Sequence, residues 1–222
     1  QSPIGAMAYE IRRKAFPRRW TRAEQWLVDA CRESAPDMVL CLTQALKDEV
    51  LDAVKKTGVR HLVAWWGAPP GNMREMGLLS DGWDHIYIKD AAAVAKFRTV
   101  GLPAELLHEA MNPLWHTPVG GPTNNQVAVA GNFYGYRQFL VRRLIEQGVE
   151  LGRHGAKLPR WVSPEISAMH TGTYITRQDK SRVFGQSLAC LNCSTLAEGD
   201  SLNCRAFEIA GARSLTAEPI TE

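Results

Sequence analysis

Residues 127–147 read VAVAGNFYGYRQFLVRRLIEQ, and the fold turns on how they are read. Val127 to Ala130 is a short, wholly apolar run of the kind found in strands buried on both faces of a parallel sheet. Gly131 to Gly135, GNFYG, supplies a turn. Tyr136 to Gln147 then offers Phe139, Leu140, Val141, Leu144 and Ile145 for the inner face of a helix. Strand, glycine turn and helix in this order bring backbone close to a ligand and aim the first helical amides at a phosphate. The glycine spacing is not that of the G-x-G-x-x-G dinucleotide fingerprint. An ordinary strand-to-helix turn has the same parts, so these residues alone leave binding open.

The same alternation extends in both directions. Thr21 to Glu24, T-R-A-E, is a capping box, in which hydroxyl and carboxylate satisfy each other's backbone amides. It opens a helix over about Arg22 to Glu33. MVLCL at 38–42 and HLVAWW at 61–66 are buried strands on either side of a helix from Lys47 to Thr57, which Gly58 closes. HIYIK at 85–89 alternates as a strand, and Ala91 to Val100 is a short helix ended by Gly101. Beyond residue 147, strands are expected at Val149 to Leu151, Ser187 to Asn192 and Ser214 to Ala217. Helices are expected at Pro164 to His170, Lys180 to Phe184 and Arg205 to Ala212. Strands separated by helices imply parallel sheets, whose ligand crevices lie beyond the carboxyl ends of the strands. In the first half this points to the loops after Leu42, Trp66 and Lys89. MNPLWHTPVGGPTNNQ, residues 111–126, breaks the rhythm with Pro, Gly, Asn and Thr. It divides the chain into a domain at 1–112, a linker at 113–126 and a domain at 127–222.

The chain has 222 residues, 45% hydrophobic and 22% charged, which is ordinary for a globular protein and enough for a core without disulfide staples. A net charge of +3 does not argue for nucleic acid as a partner. Cys31, Cys41, Cys190, Cys193 and Cys204 are an odd number, and the N-terminus shows no apolar leader core. No run of about 18 apolar residues is long enough to span a membrane. The expectation is a cytoplasmic protein.

A second constellation is DSLNCRAFEIAGARSLTAE, residues 200–218. A helix beginning near Asn203 carries Arg205 and Glu208 three residues apart on one face. A guanidinium there matches phosphate oxygens, and a carboxylate can accept both hydroxyls of a ribose. A salt bridge internal to the helix would use the same residues. Leu191–Asn192 ends the strand before this stretch, and Leu215, Thr216 and Glu218 lie in the strand after it.

This pattern resembles the C-terminal half of the CgeB-like (spore maturation protein-like) glycosyltransferases. In that family a strand ending in LN, a variable loop, an Asn-x-Arg-x-Phe-Glu helix and an LLTE-like strand follow one another. GNFYGYR, with Arg137 after the glycine turn, matches the opening of that half, and MHTGTYI matches its glycine-containing strand. The likeness runs from about Val127 to Glu222. It is looser over Ala35 to Pro113, where PDMVLCL, HLVAWW, HIYIKD and LLHEAMNP echo the other half. The sequence departs from the family at Gly67–Ala68–Pro69, where an acidic residue is usual, at Gly211–Ala212–Arg213, and at Asp200, where Glu is more usual.

The resemblance implies an α/β GT-B fold: two Rossmann-like parallel-sheet domains facing a cleft, here incomplete at both ends. The N-terminal domain would take the acceptor and the C-terminal one the nucleotide sugar. The implied activity is metal-independent hexosyl transfer from a nucleoside-diphosphate sugar, such as a UDP-sugar, to an acceptor that the sequence does not identify. No cofactor is implied. Glu208 would take the ribose, and Arg205, Arg137 and the turn at Gly131, Asn132 and Tyr134 would face the diphosphate, with Asn203 and Tyr174 also on the donor side. Asp200 and Glu208 have the spacing of paired acids in many retaining members, which places Asp200 near the sugar. A GT-B nucleotide-sugar epimerase and a non-catalytic nucleotide-binding module are the alternative readings.

Other residues carry two readings each. His154 and His170, placed after a strand and beside a glycine, are the candidate bases for an acceptor hydroxyl. Cys190-x-x-Cys193 with Cys204 has the look of a metal cluster but no suitable fourth ligand, and free Cys is a common core residue. No metal site is expected. Arg12, Arg13, Lys14, Arg18, Arg19 and Arg22 form either a solvated face or a patch for a polyanion.

Overall fold

Alternating strands and helices run through the computed structural model, which describes residues 20–42, 46–67, 78–194 and 201–219. The loop at 43–45, most of the GAPPG loop, Asp200 and the cluster from Arg12 to Arg19 lie outside these residues. The chain is α/β and divides into two units: residues up to Ile88 with Ala93–Glu105, and Lys89–Ala92 with Leu106 onward.

The first unit holds α1 (Arg22–Ser34), β1 (Met38–Leu42), α2 (Asp48–Lys55), β2 (His61–Trp66), β3 (His85–Ile88), α3 (Ala91–Thr99) and β4 (Ala104–Leu106). Its sheet runs β1-β2-β3-β4, with β1, β2 and β3 parallel. The Thr21 capping box forms: Glu24 N donates to the Thr21 hydroxyl at 3.1 Å, and Thr21 N donates to the Glu24 carboxylate at 2.5 Å. Gly58 follows α2 at φ 99°, a left-handed backbone that glycine adopts without strain. Val28, Val50, Leu51, Leu62, Ile86 and Ile88 are fully buried in one core. The short β4 escapes sequence analysis because three residues after a Gly-Leu-Pro turn show no alternation to read.

The second unit holds β5 (Val127–Ala130), α4 (Gly135–Glu146), β6 (Leu151–His154), α5 (Pro164–Ala168), α6 (Arg177–Gly185), β7 (Ala189–Leu191), α7 (Cys204–Gly211) and β8 (Thr216–Ala217). All four strands are parallel, in the order β6-β5-β7-β8. The chain goes from β5 to β6 on one side, then returns to place β7 on the other. The strand order therefore reverses at β5, and the crevice beyond the carboxyl ends of β5 and β7 is where ligands bind in sheets of this kind.

The pleat of β5 explains its composition. Val127 and Val129 enter a core with Phe133, Val141 and Ile166, while Ala128 and Ala130 enter a separate core with Phe184, Cys190 and Ile209. Alternate residues of a strand face opposite sides, and small side chains on the second face let the helices there come close.

Residues 113–126 are fastened to this unit. The Ser181 hydroxyl donates to the Thr117 carbonyl at 2.7 Å, and Asn124 N donates to the Gln186 carbonyl at 2.7 Å. MHTGTYI, read as a strand, supplies only a single bridge, between Arg153 and His170. Gly172 turns the chain away at φ 74°.

Phe184 is wholly buried in the second unit, so Phe184→Ala should destabilise it by about 3–5 kcal/mol. Thr21→Ala, which removes one half of a capping box, should cost only about 1 kcal/mol. Urea midpoints followed by circular dichroism would check both, and a larger loss in the Thr21 variant would contradict this account.

Candidate functional site

The site grows out of Gly131, the first residue after β5. It stands at φ 102°. A Cβ built on it would lie 2.5 Å from Nη2 of Arg205 and 3.4 Å from Nη1 of Arg137. Its carbonyl accepts from Nη2 of Arg153 at 3.2 Å. Three guanidinium groups thus crowd one glycine, whose left-handed backbone angle disfavours a side chain.

The arginines come from three elements. Arg137, on the first turn of α4, is 3% exposed; it donates through Nε to the Cys193 sulfur at 3.0 Å and through Nη1 to the carbonyl of Asn132. Its guanidinium also lies 4.7 Å above the Tyr134 ring. Arg153, inside β6, is 2% exposed, donates through Nη1 to the Ala156 carbonyl at 3.2 Å, and has no partner for Nε. Arg205 lies in the first turn of α7, where Asn203 caps the helix by accepting from Arg205 N at 3.0 Å.

Among the described residues no carboxylate stands within salt-bridge distance of any of the three. Burial brings the Arg153 guanidinium down to about 10, with Arg137 pushing the same way. Burial, and then Arg137, lower Arg205 likewise. Buried cations left without counter-charge are strongly unfavourable. Their concentration at a strand-order reversal is the electrostatics of an anion site.

The Tyr134 phenol closes one wall. It donates to the Cys193 carbonyl at 2.9 Å, and burial, opposed by Arg137 and Arg205, pushes it up to about 12. It is therefore a hydrogen-bond donor at neutral pH that ties the turn after β5 to the segment after β7. Tyr134 is the N-cap of α4 and makes no side-chain cap bond, so the first amides of that helix keep no side-chain acceptor from the cap.

Glu208 sits one turn further along α7 and is 8% exposed. Both its oxygens accept from Lys180 Nζ on α6, at 2.8 and 2.9 Å, and His116 Nε2 lies 3.5 Å from Oε1. Burial lowers the pKa of His116, with Glu208 opposing and Lys180 adding to the shift. These groups border a cavity of about 620 Å³ that Trp115, Met111 and Arg177 also line.

His154 and His170 form a separate pair at the end of β6. The His170 ring accepts at Nδ1 from Gly172 N at 2.7 Å, which leaves Nε2 to donate to the Ala156 carbonyl at 3.1 Å. Nδ1 of His154 lies 3.2 Å from the Thr171 hydroxyl. Burial, then His170 and Arg153, lower the pKa of His154.

The expected residues thus sort themselves. Gly131, Tyr134, Arg137, Asn203 and Arg205 come together around the anion cluster. Asn132 is exposed and enters it only through its carbonyl. Glu208 is held in the adjoining cavity, and Tyr174 is 65% exposed and joins neither. Asp200 is outside the described residues. Cys190 and Cys193 have different neighbours, Ser214 for the first and Arg137 with Tyr134 for the second. Sequence reading missed Arg153, Lys180 and His116. The available signal for Arg153 was a charged residue at the carboxyl end of a buried strand, just before Gly155.

Compared with protein-family models and with curated proteins, the chain matches none.

The titration of the histidines has a measurable consequence. His116 and His154 have native pKa values below the ordinary value of about 6.5, so the unfolded chain takes up their protons first. Stability is then complete above that pH and falls as the pH drops toward the native values. Urea midpoints should decline from about pH 8 to about pH 5, and His154→Gln should flatten part of the decline. An unaltered slope in that variant would argue against its share.

Proposed function

We propose that the protein is a GT-B-type glycosyltransferase that moves a sugar from a nucleoside-diphosphate donor to an acceptor hydroxyl. The observation that carries this reading is the convergence of Arg137, Arg153 and Arg205 on Gly131, with no described carboxylate in reach. A diphosphate meets that requirement. Its oxygens accept from guanidinium forks and from the amides at the start of α4.

In such a transfer the bond between the anomeric carbon and the diphosphate oxygen breaks, and the acceptor oxygen forms the new one. Charge builds on the departing diphosphate, and fixed cations placed there stabilise it without reorganising. The acceptor's proton needs a base. His154 and His170 are the described candidates, with His154 held neutral at physiological pH by burial. Asp200 keeps the role that the resemblance gives it, beside the sugar. Glu208 is the acceptor of the ribose hydroxyls.

Arg205 is only partly buried, and its guanidinium is the one of the three whose described neighbours include no backbone acceptor for it. Removing one charged hydrogen-bonding group is worth about 1.5–3 kcal/mol, so Arg205→Gln should weaken uridine diphosphate binding about 10- to 100-fold by calorimetry. Added salt should weaken the wild type more than the variant. Unchanged affinity in a folded Arg205→Gln protein would refute the assignment. Incubation with nucleotide sugars and no acceptor, followed by NMR, separates hydrolysis and transfer from isomerisation.

A further inference from the structure

The segment that follows β4 turns its polarity inside out. Leu107 and His108 are exposed, whereas Glu109 between His108 and the exposed Ala110 is half-buried. Leucines ordinarily go inward and glutamates outward, so the destination of that carboxylate matters. Its Oε2 accepts from Cys204 N, the first amide of α7, at 2.6 Å. The same oxygen lies 3.4 Å from Nζ of Lys89, whose side chain is 2% exposed. A pair with its lysine so deeply buried loses hydration that the attraction only partly returns, which makes it weak evidence of a purely stabilising role.

The two helices that contribute arginines around Gly131 from their first turns differ as a result. Tyr134 leaves the first amides of α4 without a side-chain acceptor from the cap. At α7 the first three amides are taken: Cys204 N by Glu109, Arg205 N by the Asn203 side chain, and Ala206 N by the Asn203 carbonyl. A helix start ordinarily offers its amides to an external anion. Here α4 is open to one, and α7 is closed by a carboxylate of the chain itself. Glu109 closes it without cancelling the cluster. It is bonded to the residue before Arg205, yet among the described residues its ion pair is with Lys89 and not with the Arg205 guanidinium.

The cluster is therefore a patch of positive charge with a fixed negative charge at its edge. Two linked phosphates carry about three negative charges at most, which three guanidiniums match. A third phosphate adds charge with no further guanidinium in the cluster to meet it. If it reaches α7 it finds no free amide in the first turn and a like charge that Lys89 holds in place. We propose that Glu109 sets the capacity of the anion site, admitting two linked phosphates and turning away a third. The proposal rests on the reading of the arginine cluster as the diphosphate site. It makes Glu109 a specificity residue, which favours nucleoside diphosphates and their sugars over nucleoside triphosphates.

Calorimetry with inorganic pyrophosphate and tripolyphosphate in magnesium-free buffer tests this. Tripolyphosphate carries the greater charge, so an open cationic site would bind it more tightly. The wild type should instead bind it no more tightly than pyrophosphate. In Glu109→Gln the side-chain oxygen can still accept from Cys204 N, and only the charge is lost. One like charge beside a partly buried site is worth about tenfold in affinity, so tripolyphosphate should gain about tenfold and pyrophosphate only about twofold. A purely structural Glu109 would lower the urea midpoint on substitution and leave the ratio of the two affinities unchanged. That unchanged ratio in a folded Glu109→Gln protein would overturn the proposal. A wild type that prefers tripolyphosphate would overturn it too, without any variant, while leaving the anion site intact. Failure of the wild type to bind either probe would overturn both readings. Arg205→Gln should weaken both probes alike, which separates the charge that attracts from the charge that limits.

Discussion

The absence of a side chain at Gly131 is the constraint on which the second unit turns. Its φ of 102° disfavours any side chain there, and a Cβ would force the Arg205 guanidinium, 2.5 Å away, to shift. The same residue gives its amide to the His154 carbonyl at 3.1 Å and its carbonyl to Arg153 at 3.2 Å. The turn after β6 closes against it as well, since a Cβ on Gly155 would lie 2.6 Å from the Gly131 carbonyl oxygen. One residue without a side chain therefore holds the ends of β5 and β6 together and leaves room for three guanidinium groups. Glycine in such a position has its reason in close approach as much as in backbone angle.

Small residues elsewhere let those cations meet. Ala128, Ala130 and Cys190 form the sheet face that receives α6 and α7, whereas the opposite face uses Val127 and Val129 against larger partners. Gly211 near the end of α7 admits the His116 carbonyl, which would be 2.7 Å from a Cβ there. With α7 seated closely, Arg205 reaches back to the turn after β5 and Glu208 reaches Lys180. Packing on one face of the strand thus sets the chemistry beyond its end.

Much of this was legible in the residues. VAVA, GNFYG and Asn203-Cys204-Arg205 announce a buried strand, a turn and a capped helix through local signals, and the helix cap forms as the Asn at its start suggests. The capping box at Thr21 is local too. What escaped depends on partners far away in the chain. Arg153 was hidden because the expected strand at Val149 to Leu151 ends three residues short of the observed one, so a charge inside the sheet read as loop. Lys180 and His116 find Glu208 across 28 and 92 positions, which no spacing rule detects. Composition marked residues 113–126 as a connection, but composition does not show that Thr117 and Asn124 would find partners on and just after α6.

The two halves of α7 impose opposite demands on a ligand. At its first turn Arg205 joins two buried guanidiniums, while the Glu109 carboxylate accepts from Cys204 N at 2.6 Å on the same turn. At its second turn Glu208 is already balanced by Lys180 beside a histidine that burial holds toward its neutral form. Lys180 reaches Glu208 from α6, and the capping Asn203 fixes the start of α7, so the packing of two neighbouring helices sets charge of opposite sign one turn apart.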